Sequence, residues 1–233
     1  MRNTGRRVRI CTSRATHTCL RWFVAAFLAT TVACSQENIE PAATRYRGDA
    51  PRVCTELPGT AGSHDDEYTS GGIRYRVRTP ANYDPAIAHP LLIVYPGAGQ
   101  SRSASERHTG LTPAATAAGF IVAYADHRRL SLPVRDDLAT IPGTIAARWC
   151  VDTRRVYASG HSDGGTAAAA MAFRADDGFV PSGIAPSAAG LRAEDLAGYG
   201  CPQPLPVLVF HSANDKLFPG FGRDAAAWWA VCN

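Results

Sequence analysis

Residues 160–165 read Gly-His-Ser-Asp-Gly-Gly. A serine hydroxyl is a weak nucleophile until a base takes its proton and the backbone fixes its direction. A serine with glycine two positions to either side is one arrangement that fixes it. Gly160 and Gly164 keep the turn around Ser162 clear of side chains, and Gly165 lets a following helix pack closely. The chemistry this spacing permits is attack of the Ser162 hydroxyl on an acyl carbon. That attack also needs N–H donors for the oxygen that becomes negative, and an acid to orient the base. The backbone N–H of Asp163 is one candidate donor. A second lies in Pro96-Gly97-Ala98-Gly99-Gln100, where Ala98 is the candidate. The candidate acid is Asp215, in His-Ser-Ala-Asn-Asp-Lys-Leu-Phe-Pro from 211 to 219. The plain alternatives are a glycine-rich turn and a loop aspartate that caps its own turn. In a chain with 21 glycines the serine motif arises easily by chance, so its flanking elements must decide.

Those elements are legible. Leu91–Tyr95 (LLIVY), Phe120–Tyr124 (FIVAY), Arg155–Ser159 (RVYAS) and Pro206–Phe210 (PVLVF) are short, bounded apolar runs, the pattern of parallel strands buried on both faces. Ile73–Arg78 (IRYRVR) alternates apolar and polar, as a half-buried edge strand does. Thr112–Ala118 is helix-like, with Thr112 as cap and Pro113 in the first turn. Thr166–Ala175 and Asp224–Val231 are the other helical stretches. Alternation of this kind predicts an α/β fold with a mostly parallel central sheet flanked by helices. In an open parallel sheet, chemistry gathers at the carboxyl ends of the strands. RVYAS runs into Ser162, LLIVY into Ala98 and PVLVF into Asp215. A nucleotide-binding reading of the second loop fails on spacing, because Arg102 stands where the third glycine belongs and no Gly-Lys-Ser/Thr follows.

Three stretches together carry a resemblance. They are GHSDGG after CVDTRRVYASG, the early LLIVYPGAGQ, and HSANDKLFP followed by an AWW helix and a cysteine. From roughly Tyr75 to the last residue, the chain resembles the secreted polyhydroxybutyrate depolymerase and feruloyl esterase group of α/β-hydrolases. The resemblance implies the α/β-hydrolase fold and carboxylic-ester hydrolysis by acyl transfer. It implies Ser162 as nucleophile, Asp215 as triad acid, no cofactor or metal, and an ester substrate of polyester, aromatic or small acyl type. Two departures stand out. Pro96-Gly97 occupies a position where the group usually has His-Gly. The triad order on this fold is serine, acid, histidine, yet the 18 residues after Asp215 contain no histidine. All seven histidines (17, 64, 89, 108, 127, 161 and 211) precede it. His161 is expected to point into the sheet and pack, and His211 to be structural. His127, just past FIVAY, remains as a substitute base. The expectation is therefore an incomplete hydrolase domain over 71–233, lacking the last strand and helix and having little or no activity. The competing expectation is a non-catalytic binding module of the same fold, and a peptidase of that fold is the third.

Composition narrows the partners. The formal charge of the whole chain is +4, but the first 33 residues hold six arginines and no acid. Removing those six positive charges leaves −2, which gives no electrostatic footprint for nucleic acid. Residues 1–33 read as a signal peptide, with an arginine-rich start and the apolar run Trp22–Cys34, too short to span a bilayer. Thr-Val-Ala-Cys before Ser35 also resembles a lipoprotein signal, in which Cys34 would carry the lipid and attach the chain to a membrane. Arg6-Arg7 fits a twin-arginine signal less well, because the apolar run begins well downstream. The expected locations are thus secreted, or lipid-anchored at the outer face of the membrane. Residues 34–70 read as a linker and irregular lead-in. In an oxidising compartment Cys54, Cys150, Cys201 and Cys232 make two disulfides, with three pairings open. No CxxC or HExxH spacing suggests a metal.

Overall fold

The computed structural model describes Cys54 and residues 57–174 and 179–233. The signal segment, Arg6-Arg7 and Cys34 lie outside the described residues. In chain order the elements begin with β1 (Ser63–Tyr68), β2 (Arg74–Arg78), β3 (His89–Tyr95), α1 (Arg102–Thr109), α2 (Thr112–Ala117) and β4 (Ile121–Ala125). They continue with α3 (Leu132–Leu138), α4 (Ile141–Ala146), β5 (Val151–His161), α5 (Asp163–Ala172), β6 (Gly183–Ser187), α6 (Ala193–Ala197) and α7 (Phe221–Cys232). The sheet order is β1-β2-β4-β3-β5-β6. β3 pairs parallel with β4 and β5, and β5 pairs parallel with β6, while β1 and β2 run antiparallel at one side. The sheet is mixed, with a parallel centre.

β3 and β4 are buried because both faces of the sheet are covered there, whereas β5 alternates buried and half-buried residues from Val156 to His161. Leu91, Ile93 and Tyr95 point into the larger core with Ile141, Ile145, Trp149 and the alanines of α5. Val94, Val122 and Tyr124 face the other way, under Leu111 and Ala115. Small side chains on α5 (Ala167, Ala168, Ala169 and Ala172) let that helix lie close to the sheet. Burial pushes the Tyr75 phenol up to about 12 and raises that of Tyr95 as well.

The structure corrects the sequence reading in several places. The stretch taken as lead-in contains β1, which pairs with β2, so Ile73–Arg78 is not an edge strand. Its alternation is real, with Tyr75 and Val77 buried and Arg76 and Arg78 turned toward Glu106. Pro206–Phe210 does not form a buried strand. It touches β6 through isolated parallel bridges, Ile184 to Val207 and Ser187 to Phe210. Leu208 and Phe210 are 57% and 52% exposed, because nothing among the described residues pairs with the outer side of this stretch. Leu111, not Thr112, is the N-cap of α2, and the Thr112 hydroxyl donates instead to Glu106. The helix after Ser162 starts at Asp163, earlier than the composition indicates, and ends at Ala172. Of the three pairings open to the four cysteines, the structure has Cys54–Cys150 and Cys201–Cys232.

Candidate active site

Ser162 sits between the end of β5 and the first residue of α5, with φ 58° and ψ −121°. A non-glycine residue at positive φ is costly and persists only where its surroundings enforce it. Here they do. The Ser162 N–H donates to the Ser187 carbonyl at the end of β6, 2.9 Å away. A Cβ at Gly160 would overlap the Gly164 backbone, one at Gly164 the Tyr95 carbonyl, and one at Gly165 the Ser187 carbonyl. Three glycines are thus required by close backbone approach, which brings the carboxyl ends of β3, β5 and β6 against the start of α5. Asp163 is the first residue of α5, so its N–H has no intrahelical acceptor.

The loop after β3 lies beside this turn. A Cβ on Gly97 would stand 3.4 Å from the His161 carbonyl. The Gly97 N–H donates to Gln100 Oε1 at 3.1 Å, a contact the sequence did not announce. The Ala98 N–H makes none of the loop and turn hydrogen bonds among the described residues. Ala98 and Asp163, the two donors expected from the sequence, therefore sit on the two segments that meet here.

The histidines are held elsewhere. His161 does not pack into the apolar core. Its Nδ1 lies 3.1 Å from Ser187 Oγ, and its ring lies 5.3 Å from that of His108. Burial lowers its pKa, His108 lowers it further, and Asp215 opposes the shift. His127 Nε2 lies 3.1 Å from the Asp163 carboxylate, and its backbone N–H donates to the Gln100 carbonyl. His211 donates from Nε2 to the Phe218 carbonyl at 2.9 Å and lies 3.7 Å from Asp215. Its Cβ abuts Gly222, where any side chain would collide. His211 is thus held between the Phe218 carbonyl, Asp215 and Gly222. Among the described residues no histidine nitrogen is hydrogen-bonded to Ser162 Oγ.

Asp215 accepts N–H bonds from Leu217 and Phe218, both at 2.9 Å. The Phe218 amide is the larger reason its carboxyl lies below the usual aspartate range, and the Leu217 amide and the charges of His211 and His161 add to it. It is thus an ionised carboxylate at neutral pH, set in a tight turn past the Pro206–Phe210 stretch.

Two contacts here, Gln100 to Gly97 and His127 to Asp163, were not foreseen. Their signal was available only as position, since both follow a strand's carboxyl end.

No family model matches the chain. Over 160 residues it is 35% identical to NocK of Nocardia uniformis subsp. tsuyamanensis, a protein named for an inferred esterase activity. That match covers 61% of this chain, and the chain spans 45% of the length of that relative. Among solved structures it is similar to Thermogutta terrifontis esterase 2 phosphorylated by paraoxon. The TM-score is 0.55 and the identity 20%, covering 76% of this chain and 78% of that one. A truncated carbohydrate esterase from gut microbiota gives a TM-score of 0.57 at 12% identity, covering 78% and 87%. Porphyromonas gingivalis dipeptidyl peptidase 4 gives 0.54 at 15% identity, covering 71% and 29%. The chain has the α/β-hydrolase fold, which esterases and peptidases share.

Proposed function

We propose that this chain is a serine carboxylic-ester hydrolase. The observation that carries the reading is the backbone of Ser162. A serine held at φ 58° by three obligatory glycines, between a parallel strand and a helix, is an arrangement that stability alone would not favour. In the proposed cycle a base takes the Ser162 proton and Oγ attacks the ester carbonyl carbon. The N–H groups of Asp163 and Ala98 hold the oxyanion. The carbonyl re-forms as the C–O bond to the alcohol breaks, and the alcohol leaves with the proton. Water then releases the acid from the acyl-serine by the same route. Asp215 is the acid that would orient the base. The 35% identity to NocK, a protein named for an inferred esterase activity, favours ester over amide substrates. Within esterases we place the chain near the polyhydroxybutyrate depolymerases and feruloyl esterases, on the motifs quoted above. We also propose export, either free or anchored through Cys34.

The test is hydrolysis of p-nitrophenyl acetate by the purified chain, with fluorophosphonate labelling mapped by peptide mass. With no histidine bonded to Ser162 Oγ among the described residues, we expect slow turnover. We expect that turnover and the labelling to map to Ser162 and to fall roughly 10³-fold or more in Ser162→Ala. One observation favours a second reading, a non-catalytic module of this fold: no histidine among the described residues engages Ser162 Oγ. Neither turnover nor labelling in a folded chain would select the module. For location, a fusion to a reporter active only outside the cytoplasm should be active with residues 1–34 and silent without them.

A further inference from the structure

Beside the serine turn lies a polar hollow of about 230 Å³ lined by Gly99, Gln100, Ser101, Asp126, His127 and Arg128. It is joined to the site by two hydrogen bonds already described, Gly97 to Gln100 and His127 to Asp163. Its charges are mostly accounted for. Asp126 accepts from the Arg102 N–H at 2.7 Å and from the Arg102 guanidinium at 3.0 Å. Asp163, whose carboxylate is engaged by His127, is not part of the lining. Arg128 differs from both, because its guanidinium forms no hydrogen bond or ion pair among the described residues. Gln100 spends its carbonyl oxygen on the Gly97 N–H, which leaves its amide as a donor. The hollow thus offers the positive charge of Arg128 and N–H donors, with its one carboxylate, Asp126, already paired to Arg102.

We propose that this hollow is a specificity site for esters that bear a free carboxylate, with Arg128 as the charged contact. The proposal rests on the esterase reading and names the substrate class within it. A guanidinium fork matches a carboxylate with two parallel hydrogen bonds. A single cation suits a monoanion, and Asp126 and Asp163 nearby disfavour a group of higher charge such as a phosphate dianion. His127 and Arg128 follow β4 directly, so a rigid strand end sets the distance between the hollow and Ser162.

Binding tests the site without requiring turnover. Monomethyl succinate and the neutral methyl butyrate are titrated by NMR against the Ser162→Ala chain, in which neither ester is consumed through Ser162. We expect the succinate ester to bind about tenfold more tightly or better, the scale of one charge-assisted hydrogen-bonded pair. Arg128→Gln should abolish that preference, whereas Arg129→Gln, next in sequence but outside the lining, should keep it. Raising the salt concentration should also weaken it. Equal binding of the two esters, or a preference that survives Arg128→Gln, would overturn the inference. With turnover, the ratio of kcat/KM for p-nitrophenyl hemisuccinate over p-nitrophenyl butyrate should fall in Arg128→Gln through KM. Carboxylate-selective binding that depends on Arg128, without any turnover or labelling, would sink the esterase reading alone. Turnover with no such selectivity would sink the hollow alone.

Discussion

At the scale of residues, Ser162 shows a conflict between folding and chemistry. Its backbone lies where glycine is comfortable and a side chain is not, a conformation that costs a non-glycine residue about 1–3 kcal/mol. Ser162→Gly should therefore raise the unfolding free energy by about 1 kcal/mol in urea denaturation while removing all labelling at this position. A Ser162→Gly chain less stable than the parent would mean that the hydroxyl itself supports the fold. The sequence exposed this position well, because glycine spacing records where backbones must touch. Histidine placement was far less readable. His161, His127 and His211 each bond to a partner 7 to 36 residues away in sequence, and no local pattern reports such pairings.

At the scale of elements, the central strands and α2 announced themselves, while β1, β6 and the other short helices did not. β3 and β4 carry continuous apolar runs, so burial on both faces was visible directly, while β5 turned out to alternate buried and half-buried residues. By contrast α1 buries only Ser105 and has no apolar stripe to read. Its signals were its ends, the Ser101 cap and Gly110 at φ 60°. What anchors α1 to the sheet is charge. Glu106 bonds Arg76 at 2.7 Å and Arg78 at 2.8 Å, all three side chains being less than a fifth exposed. Burial alone would raise the Glu106 carboxyl, but the guanidiniums of Arg78 and Arg76 outweigh it and hold the pKa below the usual value. A carboxyl depressed on folding stabilises the native state above its unfolded pKa, and that contribution fades as pH falls through the folded pKa. Glu106→Gln should thus lower stability by about 1–3 kcal/mol at pH 7. The gap to the parent chain should narrow steadily below the ordinary glutamate range. A pH-independent gap in urea titrations would rule out the ion pairs as its source. The misreading of Pro206–Phe210 belongs at this scale too. An apolar run shows that a strand wants cover, and says nothing of whether cover is present.

At the scale of the whole molecule, that uncovered stretch predicts a tendency to associate. An open apolar groove of about 370 Å³ runs beside it, walled by Leu92, Phe120, Tyr157, Ile184 and Leu208. Exposed apolar surface next to an unpaired strand edge invites further pairing. Sedimentation of the purified chain should show self-association that rises with concentration and weakens in Leu208→Lys. A chain that stays monomeric at high concentration would show that the groove is too small to drive contact.

The two disulfides carry a different consequence, for what happens after a cut. Cys54 is joined to Cys150 across 96 residues, and Cys201 to Cys232 across 31. The first loop encloses β1–β4 and the Arg128 hollow, and the second encloses Asp215 and nearly all of α7. A protease that nicks either loop frees no fragment, because the two sides of the cut stay covalently linked. On a denaturing gel the nicked chain should run as one band without reductant and split into pieces once a thiol is added. Fragments that separate without reductant would mean that the bridges are not formed in the protein tested. With them in place, the chain can be clipped within either loop and still remain a single molecule.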